Sequence, residues 1–398
     1  MKVLISGASI AGPVLAYWLN RYGFEVTVVE RAPQLRKTGG HAVDLFRPAM
    51  DISERMGVLP RVTAMSTETT VLTAFREGVS RPARVDLTKI FRATSDRHVE
   101  IMRDDLSEIY FDATTDDVEY VFGDSITKIE DEVVSFEQSP PRRFDVVVGA
   151  DGLHSNVRRL VFGDCEKYFV GAHLAVLTAP KGDLSGEMVC HLGPGRMVGR
   201  YGAKHLDEER IIFLFHGGEL DYHHRDIPRQ KELLRAAFVG MHPQVDAWLG
   251  ELDDTPAFYF DSVTQLRMDS WSRGRVTLVG DAGYCPGPAV GGSTSLAVLG
   301  AYVLAGELAA AGGDHERGFE AYEREMAEIV RRSRVFALGT AKRLVPATRT
   351  GMWALVQGAR LVSALPAGVS TALAKLNSKG IRMHDTMPVK DYPVALSR

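Results

Sequence analysis

A glycine turn near the start of the chain has the residue types and spacing to hold a diphosphate. An apolar run over 3–5 leads into Gly7, and an apolar, helix-like run follows over 13–19. Gly7 permits a sharp turn, and Gly12 lets the helix pack close to the strand. Because the free N–H groups and the positive dipole end of a helix N-terminus attract phosphate, the pattern predicts a dinucleotide site. The residues expected to line it are Gly7, Ser9, Ile10, Ala11 and Gly12.

An acidic residue stands at the end of the next predicted strand. Residues 25–29 alternate as a strand does, and Glu30 follows them with Arg31 beside it. A carboxylate at this place accepts hydrogen bonds from ribose hydroxyls in dinucleotide sites. Ser9 departs from the three-glycine pattern, because its Cβ and hydroxyl stand where the backbone approaches the phosphates. An ordinary strand–turn–helix of an α/β domain is the alternative interpretation of these residues alone.

A second turn follows the buried, nearly all-apolar strand predicted over 144–148. It contains Asp151 and Gly152, and then Ser155 and Arg158 at helical spacing. Ser155 is placed to cap the helix that begins there. The carboxylate of Asp151 is placed to hold backbone amides near a pyrophosphate. A capped turn with a surface arginine is the alternative interpretation.

A third turn follows another buried strand, predicted over 275–279. That strand delivers Asp281 to its carboxyl end, where cofactors bind in α/β sheets. An aspartate there is able to accept from a ribitol or ribose hydroxyl. Farther on, Pro288 fixes a turn and two glycines leave bare N–H groups at the start of a helix. The residues expected at the cofactor are Gly280, Asp281, Pro288, Gly291 and Gly292.

The elements around these turns predict an α/β fold in several segments. A Rossmann-like domain is expected to carry all three turns, a β-rich substrate domain to be inserted into it, and a helical segment to end the chain. The predicted bounds are 1–62, 97–167 and 266–318 for the first domain, 63–96 and 168–265 for the second, and 319–398 for the helices.

Composition narrows the function class. The 398 residues carry a net charge of −4, and lysine and arginine are scattered, so a nucleic-acid partner is not expected. Three widely spaced cysteines predict reduced thiols rather than disulfides or zinc, and the histidines lack ligand spacing, so no metal is expected. The short apolar run at the N-terminus is not a signal peptide, and no segment is expected to reach membrane-spanning length. The sequence therefore predicts a cytoplasmic protein.

The three turns, in this order, resemble those of class A flavin-dependent monooxygenases with the para-hydroxybenzoate hydroxylase fold. The similarity is greatest to the tetracycline-inactivating branch and to related actinobacterial natural-product tailoring enzymes, and it extends over about residues 1–345. The family's D-G-x-x-S-x-x-R is matched by 151–158, its G-D-A by 280–282, and its R-x-x-L begins at Arg103. The loop 39–45 resembles the family's flavin-contacting segment. The departures from the pattern are Ser9, Tyr284, Ser293 and Ser295.

The resemblance implies FAD as cofactor, NADPH or NADH as reductant and O2 as co-substrate. The flavin C4a-hydroperoxide of such enzymes hydroxylates, epoxidises or inserts oxygen beside a ketone in an aromatic, polycyclic or polyketide-like molecule. Glu30 would take the adenosine ribose, Arg103 the pyrophosphate or ribityl side, and Asp281 the ribityl chain. Gly40 and Asp44 would flank the isoalloxazine. Natural-product biosynthesis or antibiotic modification is the expected setting, with a monomer or homodimer as the assembly.

No catalytic side chain is identified from the sequence. The substrate-side candidates are polar residues near the turns and aromatic residues on the predicted strands of the inserted domain, and each has a purely structural role as its alternative. These candidates are His41, Arg200, Phe213, Phe215, His216, Phe258 and Tyr284. Arg158 and Arg159 are further candidates for contact with NADPH, or for capping and salt bridging.

Three other functions compete with the monooxygenase. In a non-redox cyclase, FAD would serve as a structural scaffold. In a ligand-sequestering flavoprotein, there would be binding without turnover. An NAD-dependent dehydrogenase would explain the residues from Gly7 to Glu30, but not the turns at Asp151 and Asp281.

Overall fold

The computed structural model describes residues 1–35, 39–95, 97–184, 186–287, 292–365 and 387–393. The strands in chain order are β1 (Lys2–Ser6), β2 (Glu25–Glu30), β3 (Ala42–Leu45), β4 (Val71–Arg76), β5 (Ala83–Asp86), β6 (Val99–Met102), β7 (Glu119–Phe122), β8 (Ile126–Glu130), β9 (Val133–Phe136), β10 (Arg142–Arg143), β11 (Val146–Gly149), β12 (Glu166–Pro180), β13 (Glu187–Gly193), β14 (Arg196–Gly202), β15 (Glu208–His216), β16 (Phe258–Arg267), β17 (Ser272–Arg273) and β18 (Val276–Leu278). The helices are α1 (Ala11–Arg21), α2 (Arg47–Arg55), α3 (Leu59–Ala64), α4 (Leu87–Thr94), α5 (Arg103–Asp112), α6 (Asn156–Phe162), α7 (Ile227–Phe238), α8 (Pro243–Gly250), α9 (Asp281–Tyr284), α10 (Ser293–Ala310), α11 (His315–Leu344) and α12 (Arg349–Ala364).

A six-stranded sheet in the order β17-β18-β11-β1-β2-β7 carries the three turns. β18, β11, β1, β2 and β7 are parallel, and β17 pairs antiparallel at the edge. Ser6 is paired with both Val29 and Gly149, and Gly149 with Leu278. The carboxyl ends of four strands therefore finish at one level. We call this level the carboxyl edge, and ligands of open parallel sheets bind at such an edge.

A seven-stranded sheet in the order β16-β12-β15-β14-β13-β4-β5 forms the second layer. Alternate residues of its strands point to opposite faces. On one face, which we call the helix face, residues such as Ala175 and Phe213 pack in a core with α7 and α8. On the other, which we call the inner face, Leu174, Val176 and Val263 pack with Ala337 of α11. The two faces therefore serve different partners.

Helix α10 is the most apolar helix of the fold and corrects one expectation. By length and composition its 18 residues, with a hydropathy of 1.4, suffice to cross a membrane, whereas the sequence analysis expected no segment of that length. In the structure 72% of this helix is buried, against α1, α2 and α11. Burial on all sides explains the missing polar face, as in the core helix of a large domain.

The C-terminal helices bridge the two sheets. The first half of α11 packs into the core of the six-stranded sheet, whereas Ala337 reaches the inner face. α12 packs against β5, β13 and α4. Farther on, Tyr392 fills the space beside Gly306 and donates to the Glu307 carboxylate at 2.6 Å.

The observed elements agree with the predicted order of strands and helices. β1, β2, β7, β11, β17 and β18 share one sheet, and β4, β5 and β12–β16 share the other, whereas β8, β9 and β10 form a separate three-stranded sheet. The segment 168–265, predicted as β-rich, also contains the helices α7 and α8. The domain bounds given above stay a prediction.

Candidate functional site

The three turns meet at the carboxyl edge through close backbone contacts. A Cβ added to Gly7, whose φ is +110°, would lie 2.5 Å from the carbonyl oxygen of Ala150. A Cβ on Gly280 would lie 3.5 Å from Cβ of Ala11. The first turn therefore touches both the second and the third, although the contacting residues lie 143 positions (150 − 7) and 269 positions (280 − 11) apart in sequence.

The glycine turn leaves the N-terminus of α1 open to an anion. A Cβ on Gly12 would lie 1.9 Å from the Gly7 carbonyl oxygen, so only glycine allows this approach of helix to turn. Ile10 supplies no side-chain cap, and the first turn of α1 carries no acidic residue. Free N–H groups and a positive dipole end are the features that bind a pyrophosphate. The helix α10 begins in the same way after Gly292, whose φ is +84°.

Glu30 reinforces the glycine turn from β2. Its carboxylate accepts from the backbone N–H of Ala8 at 3.0 Å and of Ala32 at 2.8 Å. A carboxylate offers about four acceptor positions, so two of them stay available to a ribose. Arg31, next to it, is exposed at the same edge. Its contact with a cofactor stays a prediction.

The Asp151 carboxylate binds the N-terminal end of α6, the helix that follows it. Its carboxylate accepts from the Ser155 hydroxyl at 2.5 Å and from the N–H groups of Asn156 and Val157 at 2.8 and 3.1 Å. Ser155 in turn accepts from the N–H of Arg158 and caps α6 as predicted. Gly152 has a φ of +78°. The turn is therefore a capped strand–helix junction whose position beside Gly7 gives it a place at the site.

Arg158 ties the second turn to the third. It is 4% exposed and donates to the carbonyl oxygens of Ala282 at 2.7 Å and Leu153 at 2.5 Å. This placement corrects the expectation of an NADPH contact, since the guanidinium is enclosed. Arg159 is exposed and donates to Asn156.

Asp281 is the acidic group of the third turn. Burial raises the pKa of Asp281, whereas a hydrogen bond with the Cys285 thiol and the charge of Arg103 lower it. Arg103 begins α5, and its N–H donates to the carbonyl oxygen of His41 at 3.0 Å. Asp281 and Arg103 therefore lie within electrostatic reach of each other. Pro288 and Gly291 lie outside the described residues.

Both sheets hold the loop that contains Gly40 and Asp44. From the first layer, the Asp104 carboxylate accepts from the Gly40 N–H at 2.6 Å. From the inner face of the second layer, Arg210 donates through Nε to the Gly40 carbonyl oxygen at 2.9 Å. The Tyr201 hydroxyl accepts from the Ala42 N–H at 2.9 Å. The loop is therefore fixed at the junction of the two layers.

Arg210 is 1% exposed, and its removal should have a measurable cost. Arg210→Met keeps most of the volume but leaves Glu208 and the Gly40 carbonyl oxygen without their donor. We expect a loss of about 3–5 kcal/mol in the free energy of unfolding and a lower flavin content. Arg84→Met, at an exposed position of the same sheet, should change neither. Urea unfolding and the ratio of absorbance at the flavin and protein bands measure both quantities; equal behaviour of the two variants would contradict this role.

His41 is held in its neutral form. Burial and, to a lesser extent, the charge of Arg103 lower the pKa of His41 to about 4, although the charge of Asp44 opposes the shift. Asp44 itself is hydrogen-bonded to His98 Nε2 at 2.7 Å. An imidazole that stays neutral above about pH 4 offers one donor and one acceptor to a bound ring without adding positive charge.

This shift predicts a pH dependence of stability. Between about pH 4 and 6.5 the unfolded chain binds a proton at His41 that the folded chain does not, so stability is fully present above 6.5 and falls as the pH is lowered. His41→Asn should show a shallower loss across this window in urea unfolding of the flavin-stripped protein. His223→Asn, at an exposed position, should follow the parent curve. A parent-like slope for His41→Asn would rule the assignment out.

The inner face supplies residues that sequence analysis missed. Tyr259 packs 6.5 Å from the His41 ring, and its hydroxyl donates to Asp261 Oδ2 at 3.5 Å. The same oxygen pairs with His154 Nε2 of the second turn at 2.8 Å. Burial, followed by the charge of Asp261, raises the pKa of Tyr259, so the phenol stays protonated. Tyr259 and Asp261 are alternate residues of β16. Sequence alternation would have identified them as site residues if the inner face of the sheet had been known.

Three aromatic candidates point away from the site. Phe213 and Phe215 are buried in the core of the helix face, and Phe258 packs against that core with Lys231 over its ring. This placement corrects the expectation that they wall a substrate pocket. The sequence shows that strand residues alternate, but not which of the two faces meets the first layer.

The polar candidates have mixed outcomes. Tyr284 is 0% exposed and accepts from the Tyr322 hydroxyl at 3.0 Å, so it is a core residue and not a substrate contact. Arg200 is paired with Glu209 and Glu251, which gives it a structural role. His216 pairs in register with Ala172 of the inner face and remains a candidate for substrate contact. Among the residues described, no group of three or more His, Cys, Asp and Glu is placed to hold a metal.

Comparisons with known proteins match this geometry. The model of the FAD binding domain family matches residues 1–337. An uncharacterised protein of Mycobacterium tuberculosis (strain ATCC 25618 / H37Rv) is 43% identical over 346 residues, covering 83% of this chain and 91% of the relative. A flavin-dependent monooxygenase of Legionella longbeachae serogroup 1 (strain NSW150) is 34% identical over 346 residues, covering 85% and 88%. The crystal structure of tetracycline destructase Tet(51) superposes with a TM-score of 0.83 at 30% identity, covering 98% of this chain and 99% of that one.

Proposed function

The chain belongs to the FAD binding domain family, and from that premise we propose that it is a single-component monooxygenase that adds one oxygen atom to an aromatic or polyketide-like molecule. The observation that carries the proposal is the meeting of the three turns at one carboxyl edge, facing the inner face of a second sheet. The predicted flavoprotein class and para-hydroxybenzoate hydroxylase-like fold are confirmed by the comparisons.

The residues of the carboxyl edge fit FAD. Gly12 lets α1 pack directly against the carbonyl oxygen of Gly7, and α1 presents uncapped N–H groups at this turn, where a diphosphate would bind. Asp281 and Arg103 provide an acceptor and a cation for the ribityl and phosphate groups. FAD, when bound, takes a hydride from a nicotinamide and activates O2.

The chain's own residues then position and enclose the reactants. The anchored loop from Gly40 to Asp44 would hold the isoalloxazine against the inner face. The Tyr259 hydroxyl stays protonated and donates to the Asp261 carboxylate. The same carboxylate is hydrogen-bonded to His154 of the second turn. These contacts close the junction between the layers, and exclusion of water protects an oxygen-transfer reaction from side reactions. A catalytic acid or base is not required of the protein by this arrangement.

We take NADPH or NADH as reductant, O2 as the oxygen source, a cytoplasmic monomer or homodimer as the working form, and the domain bounds given above. The similarity to a tetracycline destructase makes ionisable polycyclic ketones the first substrates to try. The comparisons support the monooxygenase and give no support to the non-redox cyclase.

The test is reductant consumption by the purified holoenzyme. NADPH and NADH oxidation is followed at 340 nm with and without tetracycline and a panel of phenols and polyketide-derived rings, and products are examined for an added oxygen by mass spectrometry with ¹⁸O2. We expect at least one ring compound to stimulate oxidation and to gain one labelled oxygen. The proposal would be refuted if none of the compounds stimulated the oxidation of NADPH or NADH by flavin-loaded protein. It would also be refuted if a compound were converted to product under anaerobic conditions.

A further inference from the structure

One arginine of α11 interrupts an otherwise apolar inner stripe. Val330 and Ala337 are each 1% exposed, and Arg334 lies between them at helical spacing, on the same side of the helix. Val330 belongs to the core of the six-stranded sheet, whereas Ala337 belongs to the apolar cluster on the inner face. Arg334 therefore lies where the two cores meet.

Two nitrogens of this guanidinium are buried and unpaired. Nε and Nη2 of Arg334 have no hydrogen-bond partner in the part of the chain that the structure describes. Arginine stays protonated in proteins, and buried charged donors without acceptors are costly. Burial lowers the pKa of Arg334, and the nearby charge of Arg267 lowers it further. Within the described residues, the edge of the guanidinium formed by Nε and Nη2 is therefore a buried pair of donors without an acceptor.

A second unpaired polar atom belongs to a side chain that contacts the backbone of Arg334. Gln265 is 0% exposed, and its Nε2 donates to the carbonyl oxygens of Arg334 at 2.8 Å and Pro286 at 3.0 Å. Its Oε1 has no partner among the described residues. Gln265 alternates with Tyr259 and Val263 along β16, so it belongs to the inner face.

The pair adjoins the proposed cofactor site. The N–H of Leu266 donates to the carbonyl oxygen of Cys285 at 3.0 Å, and the Cys285 thiol is hydrogen-bonded to Asp281. The Cys285 side chain also lies within electrostatic reach of Arg334. Gln265 therefore joins α11 at Arg334 to the described segment from Asp281 to Pro286.

We propose that Arg334 and Gln265 form a recognition site for an acidic group on the organic substrate. Nε and Nη2 share one edge of the guanidinium plane, and that edge matches two oxygens of a carboxylate or of an ionised 1,3-dicarbonyl. Gln265 Oε1 accepts from a hydroxyl or N–H next to that group. The proposal rests on the proposed function, and it defines the substrate class as a ring bearing an acidic group flanked by a hydrogen-bond donor.

Binding to the holoenzyme tests this without turnover. The probes are 3-hydroxy-2-naphthoate, its neutral amide, and 2-naphthoate, which lacks the hydroxyl, each titrated against the flavin absorbance spectrum. We expect the hydroxy acid to bind at least about ten-fold more tightly than its amide, since a fork between charged groups is lost with the amide. A parent protein without this preference overturns the proposal, whether or not the monooxygenase activity is found.

Variants assign the preference to residues. Arg334→Gln should reduce the acid-to-amide ratio to near one, and Arg334→Lys should leave an intermediate ratio because lysine lacks the fork. Gln265→Leu should reduce the ratio between the hydroxy acid and 2-naphthoate. Arg332→Gln, on the same helix but exposed and paired with Glu328, should match the parent. An unchanged ratio in Arg334→Gln, or an effect of that variant on the KM for NADPH in place of the ratio, would overturn the proposal.

The thermal stability of a variant distinguishes a substrate-binding arginine from a purely structural one. Because its unpaired charge is buried, Arg334→Met should raise the Tm of the ligand-free holoenzyme by a few degrees, roughly 2–4 °C. Arg332→Met should not raise it. A lower Tm for Arg334→Met would show that the guanidinium serves the fold, and would overturn the proposal.

Discussion

Gly12→Val should abolish flavin binding. The new Cβ would lie 1.9 Å from the carbonyl oxygen of Gly7, a backbone atom fixed by the pairing of β1 with β2 and β11. α1 must then move away from the turn, and the amides that would hold the pyrophosphate move with it. We expect a loss of about 3 kcal/mol or more in stability and a purified protein without its yellow colour.

Gly358→Val is the matched control for Gly12→Val. Gly358 lies inside α12, is exposed, and has nothing within 4 Å of an added Cβ. Its valine variant should differ from the parent by no more than about 1 kcal/mol and keep its full flavin content. Flavin content is read from the absorbance ratio and stability from the unfolding midpoint. Stoichiometric flavin in Gly12→Val would show that the turn does not hold the cofactor.

Arg158→Met should destabilise the protein far more than the same change one residue later. Arg158 is 4% exposed and supplies both donors to the carbonyl oxygens of Ala282 and Leu153. Methionine leaves these acceptors unpaired in the interior, and we expect a loss of about 3 kcal/mol together with weaker flavin binding.

Arg159→Met tests whether the effect arises from the buried hydrogen bonds that Arg158 makes with Ala282 and Leu153. Arg159 is exposed and donates only to Asn156 in the described contacts, so its variant should stay within about 0.5 kcal/mol of the parent. Arg158→Lys should be intermediate, because lysine keeps the charge but not the two-armed geometry. Urea unfolding of all three variants, with flavin affinity by fluorescence, gives the comparison. Similar losses of unfolding free energy in Arg158→Met and Arg159→Met would show that the hydrogen bonds of Arg158 do not have this role.

The parts of the site that lie on local patterns could be predicted from sequence. Gly7 and Gly280 follow strands and Gly12 lies in the first turn of α1; each has a requirement that only a small residue satisfies, so composition and spacing identify them. The cap at Ser155 depends on neighbouring residues and was predicted for the same reason. Their contact with FAD remains the proposal made above.

The parts that depend on distant contacts could not be predicted. Arg158 matches a motif, but whether it faces solvent or the third turn depends on a contact 124 residues away. Arg210 and Tyr259 carry no local signal, since only the assembled sheets show that their face is the inner one. The same ambiguity directed attention to Phe213, which lies on the helix face. Alternation in a strand indicates two faces without assigning either to a partner.

The shared hold on residues 39–45 has a consequence for engineering chimaeras between relatives. Exchanging the seven-stranded sheet to transfer specificity would also exchange Arg210 and Tyr201, which fix the loop from the far side. A donor sheet with other residues at those positions would release the loop even when every residue of the first sheet is native. A chimaera should therefore receive the loop together with the sheet that contacts it. Loss of bound flavin, seen as loss of the yellow colour, would be the first sign of a mismatched pair.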